Sequence, residues 1–120
     1  MKMPRIAILA AVLAIALPLA VFAQEKESQV RTVRGNVVDK DGNNVVTGVV
    51  YLKNLKTQDI RTYISDDAGQ YKFSGLNPNV DYEIHAERGT DVSGTKKISS
   101  FDSRKDIVYT LKLDQKKPGR

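Results

Sequence analysis

The sequence predicts an all-β fold, a seven-stranded antiparallel β-sandwich, and three observations lead to that prediction. Short runs of β-branched, aromatic and other apolar residues recur at intervals of about 8–12 residues. Clusters of Gly, Asn, Asp and Pro separate these runs. No helical period follows the apolar N-terminal segment. Short strands joined by turns of this kind are typical of two packed sheets.

The segment from Ser65 to Ala86 carries the strongest pattern. Two turn signals, D-D-A-G and N-P-N, stand on either side of a short strand. The apolar residues of the segment are spaced as one buried face requires, and they are Tyr71, Phe73, Leu76, Tyr82 and Ile84. The pattern predicts two strands that are joined by an anchored corner and share a core.

The first strand is predicted from Val30 to Asp39. Val33, Gly35 and Val37 share one face, and the glycine indicates a close backbone approach or a bulge. Arg31 shares that face, and we expect it at an open sheet edge near the strand start. The following D-K-D-G-N-N predicts a hairpin turn, because Gly supplies the positive φ that such turns need.

Four further strands complete the predicted sandwich. The first of them is almost continuously apolar, which indicates a central strand whose register the pattern does not fix. The last has a clean apolar face formed by Ile107, Tyr109, Leu111 and Leu113. The predicted ranges are Val45–Asn54, Asp59–Ser65, Lys96–Phe101 and Asp106–Leu113.

The N-terminal segment has the layout of a secretory signal peptide. Lys2 and Arg5 precede an apolar run from residue 6 to 23, which ends in V-F-A before a polar segment. We expect cleavage after Ala23 and an exported chain, secreted or periplasmic, without a stable membrane anchor. The alternative is an uncleaved anchor, because the run approaches membrane-spanning length. The remaining chain divides into a flexible leader (24–29), one domain (30–113) and a basic tail (114–120).

Charge and composition exclude a nucleic-acid-binding protein and a domain held together by disulfides. Removal of Lys2 and Arg5 lowers the net charge from +5 to +3, which is too mild to indicate a nucleic-acid partner. The chain has no cysteine, so an ordinary apolar core must hold the domain without disulfides. A domain of this size buries roughly 60–70% of its unfolded surface, so such a core is feasible.

Three segments resemble the carboxypeptidase regulatory-like domain. They are G-N-V-V-D-K-D-G-N-N-V (35–45), G-V-V-Y-L-K-N (48–54) and S-D-D-A-G-Q-Y-K-F-S-G-L-N-P-N-V-D-Y-E-I (65–84). The resemblance implies a transthyretin-like Greek-key sandwich, grouped with carbohydrate-binding-like folds. It also implies a module that accompanies catalytic domains in metallocarboxypeptidases and is not itself catalytic. Asn79 replaces the usual Gly after Pro78, and Asn tolerates the left-handed backbone conformation best among non-glycine residues.

We expect no catalytic residue, cofactor or metal site. His85 is the only histidine, and its position opposite Ile84 in alternation predicts an outward side chain. Catalysis or zinc binding there would need partners such as Ser65 or Asp66. Asp39 and Asp41 could contribute to a weak calcium site, but a turn explains them better.

The sequence favours a non-catalytic exported binding module, with carbohydrate as one candidate ligand. Tyr51 and Tyr63 are the tyrosines expected to be exposed, and exposed aromatic rings stack on sugars. The alternative is a structural or assembly domain that pairs with a cell-envelope protein through an exposed strand edge. Adjacent exposed aromatic rings would favour sugar binding, whereas an unpaired edge strand would favour a protein partner.

Overall fold

The computed structural model describes residues 30–118, which form an all-β sandwich without a helix. The predicted signal peptide and leader (1–29) lie outside the described residues. No helix within 30–118 is long and apolar enough to cross a membrane. The strands are β1 (Arg31–Asp39), β2 (Val49–Asn54), β3 (Ile60–Ile64), β4 (Gln70–Leu76), β5 (Tyr82–Arg88), β6 (Asp91–Val92), β7 (Lys96–Ile98), β8 (Asp106–Leu113) and β9 (Gln115–Lys116).

Two sheets form the sandwich. The smaller sheet has the order β4-β1-β8, and the larger has the order β3-β2-β5-β6-β9 with β7 also paired to β5. The prediction of an all-β sandwich is confirmed, but two of its details are corrected. The described chain has nine strands instead of seven, because β6 and β9 contain only two residues and are too short to show a period. In addition, β8 pairs with β1 in parallel, and side-chain alternation does not reveal strand direction.

The core lies between the sheets and matches the strongest part of the sequence pattern. All five residues predicted to be buried in the segment from Ser65 to Ala86 are at most 6% exposed. Tyr109 is half-buried against the same core. The remaining core side chains are Val33, Val37, Val45, Val50, Leu52, Val80, Ala86, Ile98, Ile107, Leu111 and Leu113.

The turn after β1 forms as predicted, but it does not close a hairpin. Asp39 Oδ1 accepts hydrogen bonds from the backbone N–H groups of Asp41 and Asn43, at 2.9 Å each, and Gly42 has φ +90°. Only one bridge, between Val38 and Asn44, follows the turn. The chain then crosses to the other sheet and enters β2, so β1 and β2 lie in different layers.

The corner between β4 and β5 is anchored by its tyrosine. The Tyr82 hydroxyl accepts a hydrogen bond from the Asn77 backbone N–H at 3.0 Å, and Asn77 Oδ1 accepts one from Asn79 N–H at 2.8 Å. Asn79 does not adopt the left-handed conformation that asparagine tolerates, because only Thr47 and Gln58 have positive φ among the described non-glycine residues. The side chain of Asn77 shapes this corner instead.

Arg31 corrects a further expectation. It is 2% exposed and does not lie at an open edge. Its guanidinium donates to the backbone carbonyls of two loops that close over the start of β1, with acceptors at Asn77, Val80, Ser99 and Asp102. The sequence pattern does not reveal this burial, because the acceptors are backbone groups 46 to 71 residues away.

Candidate interaction surface

Strand β3 is an edge of the larger sheet. It pairs with β2 on one side and with no strand of residues 30–118 on the other. All five of its residues are exposed. Ile60 and Ile64 are 59% and 62% exposed, which is high for large apolar side chains within a strand. The edge therefore offers both free backbone groups and apolar side chains.

The hydrogen bonds to β2 show which backbone groups of β3 are free. Asn54 N–H donates to the Asp59 carbonyl and Ser65 N–H donates to the Gly48 carbonyl, both at 2.8 Å. Hydrogen-bonded residues alternate along an antiparallel strand. Residues 59, 61, 63 and 65 therefore direct their N–H and C=O groups toward β2. The N–H and C=O groups of Ile60, Thr62 and Ile64 point away from the sheet.

The inward side chains of β3 fix the strand against the core. Tyr63 packs edge-on against Phe73, with ring centroids 6.0 Å apart. The Arg61 guanidinium lies 5.6 Å from the centroid of the same ring and donates to the Ser74 carbonyl at 3.2 Å. These contacts join β3 to β4 across the sandwich, so the edge is held in place without a further strand.

The outward face of the larger sheet carries an aromatic pair. Tyr51 and His85 stack with ring centroids 5.0 Å apart, which confirms that His85 points outward. His85 Nε2 lies 2.9 Å from Glu87 Oε2, and Lys117 Nζ lies 2.9 Å from Glu87 Oε1. The hydrogen bond to His85, followed by that to Lys117, lowers the pKa of Glu87.

A shallow groove of about 300 Å³ runs beside this pair and reaches the edge strand. It is lined by Tyr51, Lys53, Ile60, Glu83, His85 and Thr95. Its lining is therefore mixed, with one isoleucine of β3 at its border. The groove and the edge form one continuous surface.

The two tyrosines predicted to contact a ligand lie on opposite faces of the larger sheet. Tyr51 stands opposite Thr62 in the strand register, and Tyr63 stands opposite the fully buried Val50. Directly opposed residues share a face. Tyr51 therefore points outward and is half-buried beside His85, whereas Tyr63 points inward and is 40% exposed at the sandwich side. The two rings do not form one platform.

The residues considered for catalysis and metal binding make structural contacts. The buried Ser65 hydroxyl donates to the Val45 carbonyl and accepts from Gly48 N–H. Asp66 Oδ1 accepts from the N–H groups of Ala68 and Gln70. The backbone hydrogen bond from Asn43 is the main cause that lowers the pKa of Asp39. Within residues 30–118, no group of three His, Cys, Asp or Glu side chains is placed to hold a metal ion.

Sequence reasoning missed one exposed aromatic residue. The sequence predicts a strand from Lys96 to Phe101, but that strand, β7, ends at Ile98 and Phe101 lies in the following loop at 95% exposure. The loop is ordered by hydrogen bonds to its backbone, from Arg31 to Ser99 O and from Ser100 N–H to Asp81 Oδ1. A polar, Ser-rich context was the only sequence signal for this exposure.

The family model of the carboxypeptidase regulatory-like domain matches residues 32–112. The chain belongs to this family. A carboxypeptidase regulatory-like domain is a non-catalytic module, and the assignment agrees with the resemblance found in the sequence. A search of curated proteins finds no match to the chain.

Solved structures to which the chain is similar include two dioxygenases, and a weaker similarity is to a pilin domain. Catechol 1,2-dioxygenase from Acinetobacter radioresistens has a TM-score of 0.53 at 13% identity, with 75% of this chain and 53% of that chain covered. The dioxygenase domain of a dioxygenase carbohydrate-binding protein fusion from Streptomyces sp. SirexAA-E has a TM-score of 0.51 at 13% identity, covering 71% and 79%. The C-terminal domain of shaft pilin SpaA from Lactobacillus rhamnosus GG has a TM-score of 0.48 at 9% identity, covering 71% and 98%.

These similarities concern the fold alone, because every identity is below 25%. The chain spans 52% and 53% of the length of the two Acinetobacter catechol 1,2-dioxygenases that it matches. The comparison therefore confirms the β-sandwich and assigns no reaction.

Proposed function

We propose that this carboxypeptidase regulatory-like domain is a non-catalytic assembly module that binds an extended protein segment at strand β3. The observation that carries the proposal is the free, exposed edge of β3, with outward backbone groups at Ile60, Thr62 and Ile64. An added strand would gain main-chain hydrogen bonds there, and its side chains would meet the two exposed isoleucines.

A protein partner fits this surface better than a carbohydrate. Sugar-binding sites place aromatic rings where a sugar can stack on their faces, but Tyr51 and Tyr63 point to opposite faces of the sheet. One face of Tyr51 already contacts His85. Carbohydrate binding remains a prediction from the sequence, and the geometry of the edge supports the assembly role that the sequence left as the alternative.

Substitution of Thr62 with proline tests the proposed edge. Proline removes the outward N–H of Thr62 without removing a hydrogen bond to β2, and proline is tolerated at edge positions of this kind. We expect Thr62→Pro to abolish cross-links between this protein and its partner in native envelope preparations, identified by mass spectrometry. Thr62→Ala, which keeps the backbone donor, should retain them.

The comparison requires that both variants fold. Far-UV circular dichroism and melting temperatures of Thr62→Pro and Thr62→Ala should agree closely before the cross-links are compared. An unchanged set of cross-linked proteins in a folded Thr62→Pro variant would refute binding through this edge.

We also propose that the chain is exported and acts in the periplasm or outside the cell. The basic start, apolar run and V-F-A sequence of residues 1–23 support this proposal. N-terminal sequencing of the protein from the native host should begin at Gln24. A protein that retains residues 1–23, or that remains in the cytoplasmic fraction, would contradict export.

A further inference from the structure

Strand β3 has a nearly symmetric sequence, Ile60-Arg61-Thr62-Tyr63-Ile64, with an isoleucine at each end and Thr62 at its centre. We propose that the partner of this edge is a second copy of the same chain, paired antiparallel about a two-fold axis at Thr62. The inference rests on the proposed function, because it names the strand that is added to β3. A two-fold interface requires a self-complementary surface, and this strand has one.

The backbone geometry allows this pairing without any change in β3. A two-fold axis at Thr62 places Thr62 opposite Thr62 and Ile60 opposite Ile64 of the second copy. These are the three residues whose N–H and C=O groups point away from β2, as the bonds at Asp59 and Ser65 show. Each opposed pair can exchange two hydrogen bonds, because all three pairs fall in the hydrogen-bonded phase of the ladder.

The outward side chains favour the same register. Ile60 and Ile64 share the outer face with Thr62, so the pairing brings both isoleucines of one copy against isoleucines of the other. A shift of two residues in one direction places Gln58 opposite Ile64, and a shift in the other places Asp66 opposite Ile60. A shift of one residue directs the wrong backbone groups toward the partner. The register centred on Thr62 therefore gives the best combination of backbone hydrogen bonds and apolar side-chain contacts.

The inward side chains are also compatible with the pairing. Arg61 would lie opposite Tyr63 of the second copy, so no two like charges oppose each other across the junction. Arg61 already lies over the Phe73 ring and does not cover the free backbone edge. The result is a continuous sheet that passes from one sandwich to the other through the two β3 strands.

The strand lacks most of the features that keep natural edges apart. Edge strands are commonly protected by proline, by outward lysine, by a bulge, by very short length or by an inward-pointing charge. Arg61 is the one feature of this kind in β3, and its guanidinium lies over the Phe73 ring. Strand β3 contains no proline or lysine, pairs with β2 in an unbroken register and exposes two isoleucines by about 60% each. An edge of this kind is suited to a partner strand.

Single cysteines provide a test of the register, because the chain has no cysteine of its own. Thr62→Cys should form a disulfide-linked dimer on mild oxidation, since opposed Cα atoms in a hydrogen-bonded pair lie about 5.5 Å apart. Ile60→Cys and Ile64→Cys should each remain mostly uncross-linked alone but form a heterodimer when mixed. In each single variant the two cysteines would be about 13 Å apart, because they are separated by four residues along the paired strands. Thr110→Cys, an exposed position on β8, is the matched control and should stay uncross-linked.

Sedimentation of the purified protein without cysteine tests the dimer directly. We expect a concentration-dependent dimer whose dissociation constant rises roughly tenfold or more in Thr62→Pro, since both central donors are lost. A wild-type protein that stays monomeric, a dimer unaffected by Thr62→Pro, or a cross-linking pattern of another register would each overturn the inference. A monomer whose envelope cross-links still depend on Thr62 would overturn the second-copy inference and leave the proposed function standing. A monomer whose envelope cross-links do not depend on Thr62 would overturn both the second-copy inference and the proposed function.

Discussion

Replacement of Gly35 with alanine is expected to destabilise the domain by more than about 4 kcal/mol, enough to abolish most of the stability of a protein of this size. Gly35 stands opposite Tyr109 in the parallel pairing of β1 and β8. A Cβ atom on Gly35 would lie 1.9 Å from the Tyr109 carbonyl oxygen and 2.8 Å from its carbonyl carbon. Both atoms belong to the backbone, so no side-chain rotation relieves the overlap and the two strands must separate.

The same carbonyl has a second role that raises the cost of moving it. The Tyr71 hydroxyl donates to the Tyr109 oxygen at 2.8 Å, and burial raises the pKa of Tyr71 well above its ordinary value, so the phenol remains a donor. Displacement of Tyr109 away from a new methyl group would weaken this bond as well. Gly35 therefore lies at the contact of three strands, β1, β4 and β8.

Gly94→Ala is the matched control for this substitution. Gly94 has no positive φ, and a Cβ atom there would meet only the side-chain nitrogen of Gln115, at 3.5 Å. We expect its unfolding free energy to stay within about 0.5 kcal/mol of wild type. Urea unfolding of the three proteins measures the difference. Equal midpoints for Gly35→Ala and wild type would show that β1 and β8 do not approach as closely as described.

The sequence could predict the core and the special role of Gly35 because both depend on local pattern. Period-two alternation identified Tyr71, Phe73 and Ile84 as buried, and a glycine within an otherwise β-branched strand indicated close approach. The carbonyl of Tyr109 that Gly35 approaches is 74 residues further along the chain, as the paired positions show. Alternation indicates a contact of this kind, but it does not identify the partner.

The features that the sequence does not predict depend on which strands become neighbours. Side-chain alternation is the same for parallel and antiparallel pairs, so the direction of β8 was not visible. The exposed position of β3 follows from the strand order, and a run with two isoleucines could equally have been a central strand. Tyr51 and Tyr63 were grouped by expected exposure, and only the register with β2 separates them onto opposite faces. The candidate site therefore depends on the strand order and register, which side-chain alternation does not reveal.

Arg31→Met is the second substitution with a large expected effect, a loss of about 2–4 kcal/mol in unfolding free energy. The Arg31 guanidinium donates to Ser99 O at 2.8 Å and Val80 O at 3.1 Å, with longer bonds of 3.3 Å to Asn77 O and Asp102 O. Methionine keeps the apolar stem but removes the guanidinium donor. Asn77 O and Ser99 O still accept from the backbone N–H groups of Val80 and Asp102. The loss therefore falls mainly on the carbonyls of Val80 and Asp102. A buried acceptor that loses its partner costs about 1–3 kcal/mol, and release from burying a charge offsets part of the sum.

Arg34→Met, on the same strand, separates this effect from the general loss of an arginine. Arg34 forms an exposed ion pair with Asp106 at 2.9 Å, and solvent screening leaves pairs of this kind with little effect on stability. We expect Arg34→Met to unfold almost as wild type does. Amide hydrogen exchange in the loops at 77–81 and 99–102 should become faster in Arg31→Met alone. Equal losses of stability in the two variants would mean that Arg31 does not tie these loops together. A loss of stability in Arg31→Met alone would show that one buried guanidinium holds the two loops at the start of β1. Methionine cannot replace it there, because its side chain has no hydrogen-bond donor.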